Sequence, residues 1–243
     1  MKKILSVAVI CVLGAMTFAS CSHMTSNEKQ PAGITKSDVD SVSYMLGYSF
    51  GMQLSQNDFG ALNIDAIGEG MKDAVAKKEV SQQDFYNVVN GFLEKKMKIV
   101  SEANVKEADE FFEKNIKAEG VDSTETGLQY KVVRQGNGVF PTSVKDTVEV
   151  NYEGTTLDGK VFDSSYEAGE TVKFPLSGVI KGWGEGLQLI DEGGEITLWI
   201  PSDLAYGERG AGAMIGPNKA LKFKVELIKV MPYVETEETE SEK

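Results

Sequence analysis

The sequence predicts an α+β protein: an all-helical N-terminal domain with a long stalk helix, then a curved antiparallel β-sheet wrapped on one short helix. Two periodicities carry this. Between Val42 and Met97 apolar residues recur every three or four positions, which lines one face of a helix; from Gly127 onward they alternate, which lines one face of a strand. Size is the third observation, because 243 residues exceed what one small core usually organises, so two domains are expected.

Residues 1–20 read as an export signal. Lys2 and Lys3 precede the apolar stretch ILSVAVICVLGAMTFA, too short and wrongly flanked for a membrane span. It ends in FASC, which resembles the lipobox of bacterial lipoproteins: Ala19 and Ser20 are the small residues before Cys21, the implied lipidation site, although Phe18 stands where leucine is commonest. The alternative is ordinary cleavage near Ala19 or Ser20, with Cys21 left as a free thiol. Lipidation would anchor an exported, periplasmic chain to a bacterial membrane. Residues 21–36, polar with Pro31 and Gly33, form a flexible tether.

Residues 37–120 are expected to be a helical dimerisation domain and stalk. Ser37 and Asp40 have capping-box character, and Val42, Met45 and Leu46 begin an apolar face that runs to about Leu54. Gly47 and Gly51 lie four apart on it, which suits either the close approach of another backbone or two destabilising glycines tolerated by packing. Asn63 can cap a second helix with apolar positions Ile64, Ile67, Met71, Ala74 and Val75. Ser81 and Asp84 form another box. After it Phe85, Val88, Val89, Phe92, Leu93 and Met97 make a stripe, and helix-compatible sequence continues to Gly120. At ~1.5 Å per residue that helix would span roughly 60 Å, and its charge-rich second half, EANVKEADEFFEKNIKAEG, is expected to be solvated on most sides. Two short helices and the start of a long one make a thin core, so a homodimer through residues 37–100 is expected to complete it.

Residues 121–233 are expected to form the sheet. LQYKVVR and VEVNYEGT alternate, Asp158 and Gly159 supply a turn between YEGTTL and KVFDSS, and TVKFPL, EITLWIP and LKFKVELIKV follow. In the last, Leu221, Phe223, Val225 and Leu227 share one face and Lys222, Lys224 and Glu226 the other, as in an antiparallel sheet with one wet side. The stretch around Leu187 to Ile190, opened by Trp183, is the only helical candidate among these strands. Residues 234–243 read as an acidic, solvated, disordered tail.

Composition excludes several chemistries. A formal net charge of −12 with interspersed Lys and Arg argues against nucleic acid as a partner. Cys11 falls in the signal, Cys21 at the anchor and the only histidine, His23, in the tether, so the folded region holds neither residue type. That removes histidine triads, cysteine nucleophiles and the usual zinc sites. What remains is carboxylate, Tyr, Lys or Ser chemistry, or catalysis without proton transfer, and no metal or cofactor is expected. Gly182, Gly184 and Gly186 lack the strand-then-helix setting of a dinucleotide fingerprint.

Tyr152, Phe162, Phe174 and Phe223 alternate with polar neighbours and so point toward the side of the short helix that Trp183 opens. They are either core, as aromatics at strand spacing usually are, or the walls of a concave apolar pocket floored by Trp183. Gly182 and Gly184 are expected to keep bulky side chains off its approach, and the loop AYGERGAGAMIGPNKA, with Tyr206 near its start, overhangs the same edge.

The segments GLQYKVV, VEVNYEGTTLDGKVFDSS, FPLSGVIKGWGEGLQLIDEGGEITLWIPSDLAYGERG and LKFKVELIKV resemble the FKBP-type peptidyl-prolyl isomerase domain across nearly all of Gly127 to Val230. The N-terminal half, DSVSYMLGYSFG through GFLEKK and the stalk, is similar to the dimerisation domain of that family's exported, Mip-like and FkpA-like branch. The resemblance implies a peptidyl-prolyl cis-trans isomerase acting on unfolded or proline-containing exported polypeptides, with macrolides of the FK506/rapamycin class as its inhibitors. It also implies that Tyr152, Phe162, Phe174, Val179, Ile180, Trp183, Tyr206, Ile215 and Phe223 line the proline site. Asp163, Tyr206, Ile180 and Trp183 would be the catalytic set: Trp183 lies under the pyrrolidine ring, and the Ile180 N–H and Tyr206 hydroxyl reach carbonyls. Asp163 is either the polar group near the twisting carbonyl or a turn-former whose carboxylate Tyr152 or a neighbouring N–H holds. Departures cluster in the overhanging loop, where Ala211, Met214 and Gly216 replace the commoner residues, and they bear on substrate preference and macrolide affinity. The rival class is a dimeric periplasmic holdase chaperone with weak or incidental isomerase activity.

Overall fold

The computed structural model describes residues 30–56 and 59–234. The expected export signal at 1–20, Cys21, His23 and the expected acidic tail beyond Val234 lie outside them. By contacts the chain divides into two compact units, one up to Phe85 and one from Tyr86 onward.

In the first unit, helix α1 covers Lys36–Ser55 and α2 Ile64–Val75. The capping box of α1 is not at Ser37 and Asp40. Thr35 Oγ1 accepts from Asp38 N and the Asp38 carboxylate accepts from Thr35 N, because this earlier pair offers the same reciprocal bonds and lengthens the helix. Asn63 caps α2 by accepting from Ala66 N. No residue of α1 or α2 is buried. A Cβ on Gly47 or Gly51 would meet nothing within 4 Å, so packing within this chain accounts for neither glycine.

Helix α3, Gln82–Asn115, starts at the Ser81–Asp84 box. It ends five residues before Gly120, at about 51 Å by its 34 residues. Its last turn is capped from the sheet: Gln129 Nε2 donates to the Phe112 carbonyl and Gln129 Oε1 accepts from Asn115, after which turns run to Gly120 at φ +77°. The charge-rich half is docked along one face, where Asn104 is buried.

The sheet of the second unit comprises β1 (Asp122–Ser123), β2 (Gln129–Arg134), β3 (Thr147–Thr156), β4 (Val161–Ser164), β5 (Val172–Pro175), β6 (Glu195–Ile200) and β7 (Leu221–Met231). All pairings are antiparallel, in the order β1-β2-β6-β7-β3-β4, with β5 also on β3. The inward faces of β3, β6 and β7, from Val148 and Val150 to Leu198 and Val225, close one core with Leu128, Leu176 and Leu187. In β7 the alternation breaks at a bulge: Val150 pairs with Leu227 but Glu149 with Lys229, so the extra residue Ile228 turns outward and Val230 re-enters the core. The outer face is not wet throughout, since Gln129, Thr197 and Trp199 are buried there.

The short helix, α5, runs Lys181–Gly186, with Leu187–Leu189 as a 3₁₀ turn, so it starts two residues before Trp183, the residue expected to open it. A second, one-turn helix, α4 (Ser165–Ala168), was not expected, nor was β1. Two of the glycines of α5, Gly182 and Gly186, serve its packing on β6. A Cβ on Gly182 would strike Ile200 Cγ2 and one on Gly186 would lie 2.6 Å from Leu198 Cδ2, so only glycine lets the helix lie this close to β6. No described helix is long and apolar enough to cross a membrane.

Two buried carboxylates tie the loops to this core. Asp191 accepts from Gly136 N at 2.8 Å and Gly138 N at 2.6 Å, and these bonds hold its carboxyl below the usual range. Burial works against charge at Asp146, yet the N–H groups of Tyr233, Thr142 and Ser143 outweigh it and its carboxyl is lowered too. A lowered carboxyl contributes stability that is present above its unfolded value of about 3.9 and lost as pH falls through the folded value. Urea unfolding should therefore show a loss of stability on acidification below about pH 4, and Asp191→Asn should be less stable at pH 7 with a shallower acid slope. A deficit in the Asp191→Asn variant that is as large at pH 3 as at pH 7 would contradict this account of the carboxylate.

Candidate active site

Five aromatic side chains arrive at one place from five elements. Tyr152 comes from β3, Phe162 from β4, Phe174 from β5, Phe223 from β7 and Trp183 from the first turn of α5. The indole is buried and edge-to-face with three of them: 5.1 Å from the Tyr152 centroid, 5.3 Å from Phe223 and 5.7 Å from Phe174. Phe162 stands edge-on to Phe223 at 5.6 Å. Gly154 makes room for that pair, because a Cβ there would lie 2.7 Å from Phe223 and 2.8 Å from Phe162.

These rings are both core and wall. Above them opens a cavity of about 430 Å³ lined by Tyr152, Phe162, Asp163, Phe174, Gly178, Val179, Ile180, Trp183, Tyr206 and Phe223. Every residue expected at the site is therefore brought to it except Ile215. That side chain is buried in the core, where the Ala211–Ile215 bridge closes the overhanging loop and turns it inward. Gly178 was not anticipated; it lies two residues before Ile180 in the same SGVI turn, and nothing in its residue type marked it. Of the loop departures, Ala211 packs against the core and Met214 is exposed.

The polar groups sit at the rim. Asp163 lies in β4 opposite Gly154, so it is not a turn residue, and its Oδ2 accepts from the Tyr152 hydroxyl at 2.7 Å. Burial first, and then this bond, push the Tyr152 phenol well above its ordinary value, so it remains a donor at neutral pH. Ile180 is the N-cap residue of α5; its carbonyl accepts from Trp183 N and Gly184 N, and it stands where helices leave N–H groups without intrahelical acceptors. Tyr206, which also lines the cavity, is 40% exposed. At the floor, Trp183 Nε1–H is buried with no hydrogen-bond partner among the described residues. No group of three or more metal-ligating side chains occurs among the described residues. The arrangement offers a flat apolar floor, aromatic walls and rim donors, and no nucleophile paired with a base.

The sequence matches the family FKBP-type peptidyl-prolyl cis-trans isomerase over residues 141–228, and the domain amino terminal to FKBP-type peptidyl-prolyl isomerase over residues 39–132. It is 42% identical over 205 residues to a probable FKBP-type peptidyl-prolyl cis-trans isomerase FkpA of Neisseria meningitidis serogroup B, covering 80% of this chain and 75% of that one. It is 34% identical over 239 residues to the outer membrane protein MIP of Legionella longbeachae, covering 95% and 98%. Among solved structures, that of FkpA from Escherichia coli superposes with a TM-score of 0.65 at 40% identity, covering 82% of this chain and 99% of that one.

Because Gly154 is what lets Phe162 and Phe223 meet, Gly154→Ala should force both rings toward the cavity at a cost of about 1–3 kcal/mol. Thermal unfolding and the fluorescence of the neighbouring Trp183 would register this. An unchanged melting temperature with unchanged emission would show that the wall yields without moving the rings.

Proposed function

Because the chain belongs to the FKBP-type peptidyl-prolyl cis-trans isomerases, we propose that its cavity seats a substrate proline on Trp183 while the preceding peptide bond twists. The observation that carries this reading is the floor. A rigid indole, fixed by three rings and by the helix behind it, suits the flat apolar face of a pyrrolidine ring. Tyr152, Phe162, Phe174, Val179 and Phe223 form the walls; the Ile180 N–H and the Tyr206 hydroxyl grip substrate carbonyls; Asp163, held by Tyr152, is the polar group beside the twisting bond.

Rotation about X–Pro breaks no bond and moves no proton. It must overcome amide resonance, about 18–20 kcal/mol. A pocket accelerates it by binding the twisted amide better than either planar form, and each tenfold needs only about 1.4 kcal/mol of such preference. The absence of cysteine and histidine from residues 30–234 is consistent with that chemistry.

The substrates are proline-containing or unfolded exported chains. The signal-like residues 1–20 and the lipobox-like FASC support export and lipid anchoring at Cys21, and a relative's name, outer membrane protein, points to the same compartment. Residues 37–120 serve as dimerisation domain and stalk and 121–233 as the isomerase domain. Dimerisation is supported by the match to the amino-terminal domain and by the bare apolar faces of α1, α2 and the start of α3, where Tyr44, Leu46, Ile64 and Val88 stay largely exposed. Macrolides of the FK506/rapamycin class would compete for the cavity.

Exchange spectroscopy on a short X–Pro peptide tests the site: the wild-type protein should accelerate cis/trans exchange, and Trp183→Ala should lose at least about tenfold of it. A folded wild type that accelerates nothing would transfer the cavity to a holdase role. Sedimentation equilibrium of the mature chain should give twice the monomer mass, and a monomer would sink the role assigned to residues 37–100.

A further inference from the structure

Three side chains spaced three apart on α3 meet the loop that overhangs the cavity. Asn104, buried, donates through Nδ2 to the Pro217 carbonyl at 2.7 Å. Ser101 Oγ accepts from Asn218 Nδ2 at 2.7 Å, and Glu107 pairs with Lys219 at 2.6 Å. Asn104 is the one buried residue of the helix, and it is polar. Its burial is therefore explained by what it bonds, not by apolar packing.

The loop passes this contact on to the cavity. Asn218 holds a left-handed conformation, φ +54°, and its backbone N–H donates to the Gly207 carbonyl at 2.9 Å. Ala211 and Ile215 bond each other in both directions, and a Cβ on Gly210 would collide with the Ile215 carbonyl, so the two arms of the loop are backbone to backbone. One arm rests on α3. The other begins at Tyr206, a cavity-lining residue that is 40% exposed, so the course of this arm bears on where its side chain stands.

We propose that Ser101 and Asn104 of α3 are positioning residues for the isomerase site: they fix the 207–219 loop and through Asn218 set Tyr206 at the cavity rim. This rests on the assignment of the cavity as a proline site. The helix that leads out of the dimerisation domain thereby becomes a working part of the pocket as well as a spacer, and departures in the loop, such as Gly216 against Asn104, become determinants of how firmly Tyr206 is held. A Cβ at Gly216 would lie 3.5 Å from Asn104 Nδ2 and 3.6 Å from Val100 Cγ1, ordinary contact distances that show how close the helix runs.

The test uses the full chain, with Asn104→Ala and Ser101→Ala beside wild type. Turnover of an X–Pro peptide should fall about fivefold in kcat/KM, the scale of one lost hydrogen bond, with the change in KM, because Tyr206 grips planar and twisted states alike. Simple loss of folded protein would instead lower kcat. In a Tyr206→Phe background the same substitutions should cost nothing further. Amide exchange at Asn218 should quicken while that of Val150 and Val225 does not. Unchanged KM, or effects that add to Tyr206→Phe, would overturn the proposal even if the loop loosens. Should Asn104→Ala not fold, Ser101→Ala decides alone, since it removes one acceptor and leaves no cavity of consequence. A wild type without turnover is a separate result, which would remove the proline-site assignment and this proposal with it.

Discussion

The Trp183 indole stands where the sheet, the short helix and the cavity meet, and its edge-to-face contacts with Tyr152, Phe174 and Phe223 make all three depend on one another. Those contacts exist because α5 lies close against β6, and α5 can lie there because Gly182 and Gly186 have no side chains to strike Ile200 and Leu198. A methyl at either position would lift the helix and the indole with it. The ring cluster cannot then close, since aromatic pairs at these angles keep their advantage only near these separations. The unpartnered Nε1–H is a cost of about 1–3 kcal/mol that the packing must offset, of the kind usually retained where a site requires a particular surface.

Around this cluster the polar groups work at the margins. Asp191 and Asp146 gather the N–H groups of loops that have no strand partner. At the rim, the Tyr152 hydroxyl donates to Asp163, a bond that orients a carboxylate beside an apolar surface. The long helix supplies the third support, because it ends against Gln129 on the outer face of the sheet and meets the overhanging loop midway. A rigid floor with adjustable edges suits a reaction whose only coordinate is the twist of one bond.

Much of this was legible in the sequence because periodicity reports burial. The alternation in LKFKVELIKV placed Leu221, Phe223, Val225 and Leu227 correctly, and Asn63 and Ser81 announced their helices. What was not legible depends on long-range geometry. The bulge at Ile228 answers a pairing with Glu149 that no local pattern records. Two capping signals two residues apart, Thr35 and Ser37, are equivalent locally, and the earlier one prevailed. Gly182 reads in sequence as clearance above the pocket, whereas its lack of a side chain is used below it, against Ile200 of β6; a Cβ on Gly184 would meet only the Leu176 carbonyl, at 3.4 Å. Ile215, which the resemblance implies at the site, packs in the same core cluster as Trp183 and Phe223 without lining the cavity, and its bond to Ala211 across the loop is no local feature of the sequence. The burial of Asn104 in a helix full of charges could not be foreseen, since its partner lies more than a hundred residues away.

The central claim is that a substrate proline rests on Trp183. The chain has only two tryptophans, so its two indole N–H resonances can be resolved and assigned by substituting each in turn. Titration of an X–Pro peptide into ¹⁵N-labelled protein should shift the Trp183 indole signal in step with occupancy and leave that of Trp199, on the opposite face of the sheet, in place. Accelerated isomerisation with an unmoved Trp183 signal would contradict the account and place the reacting proline elsewhere on the domain.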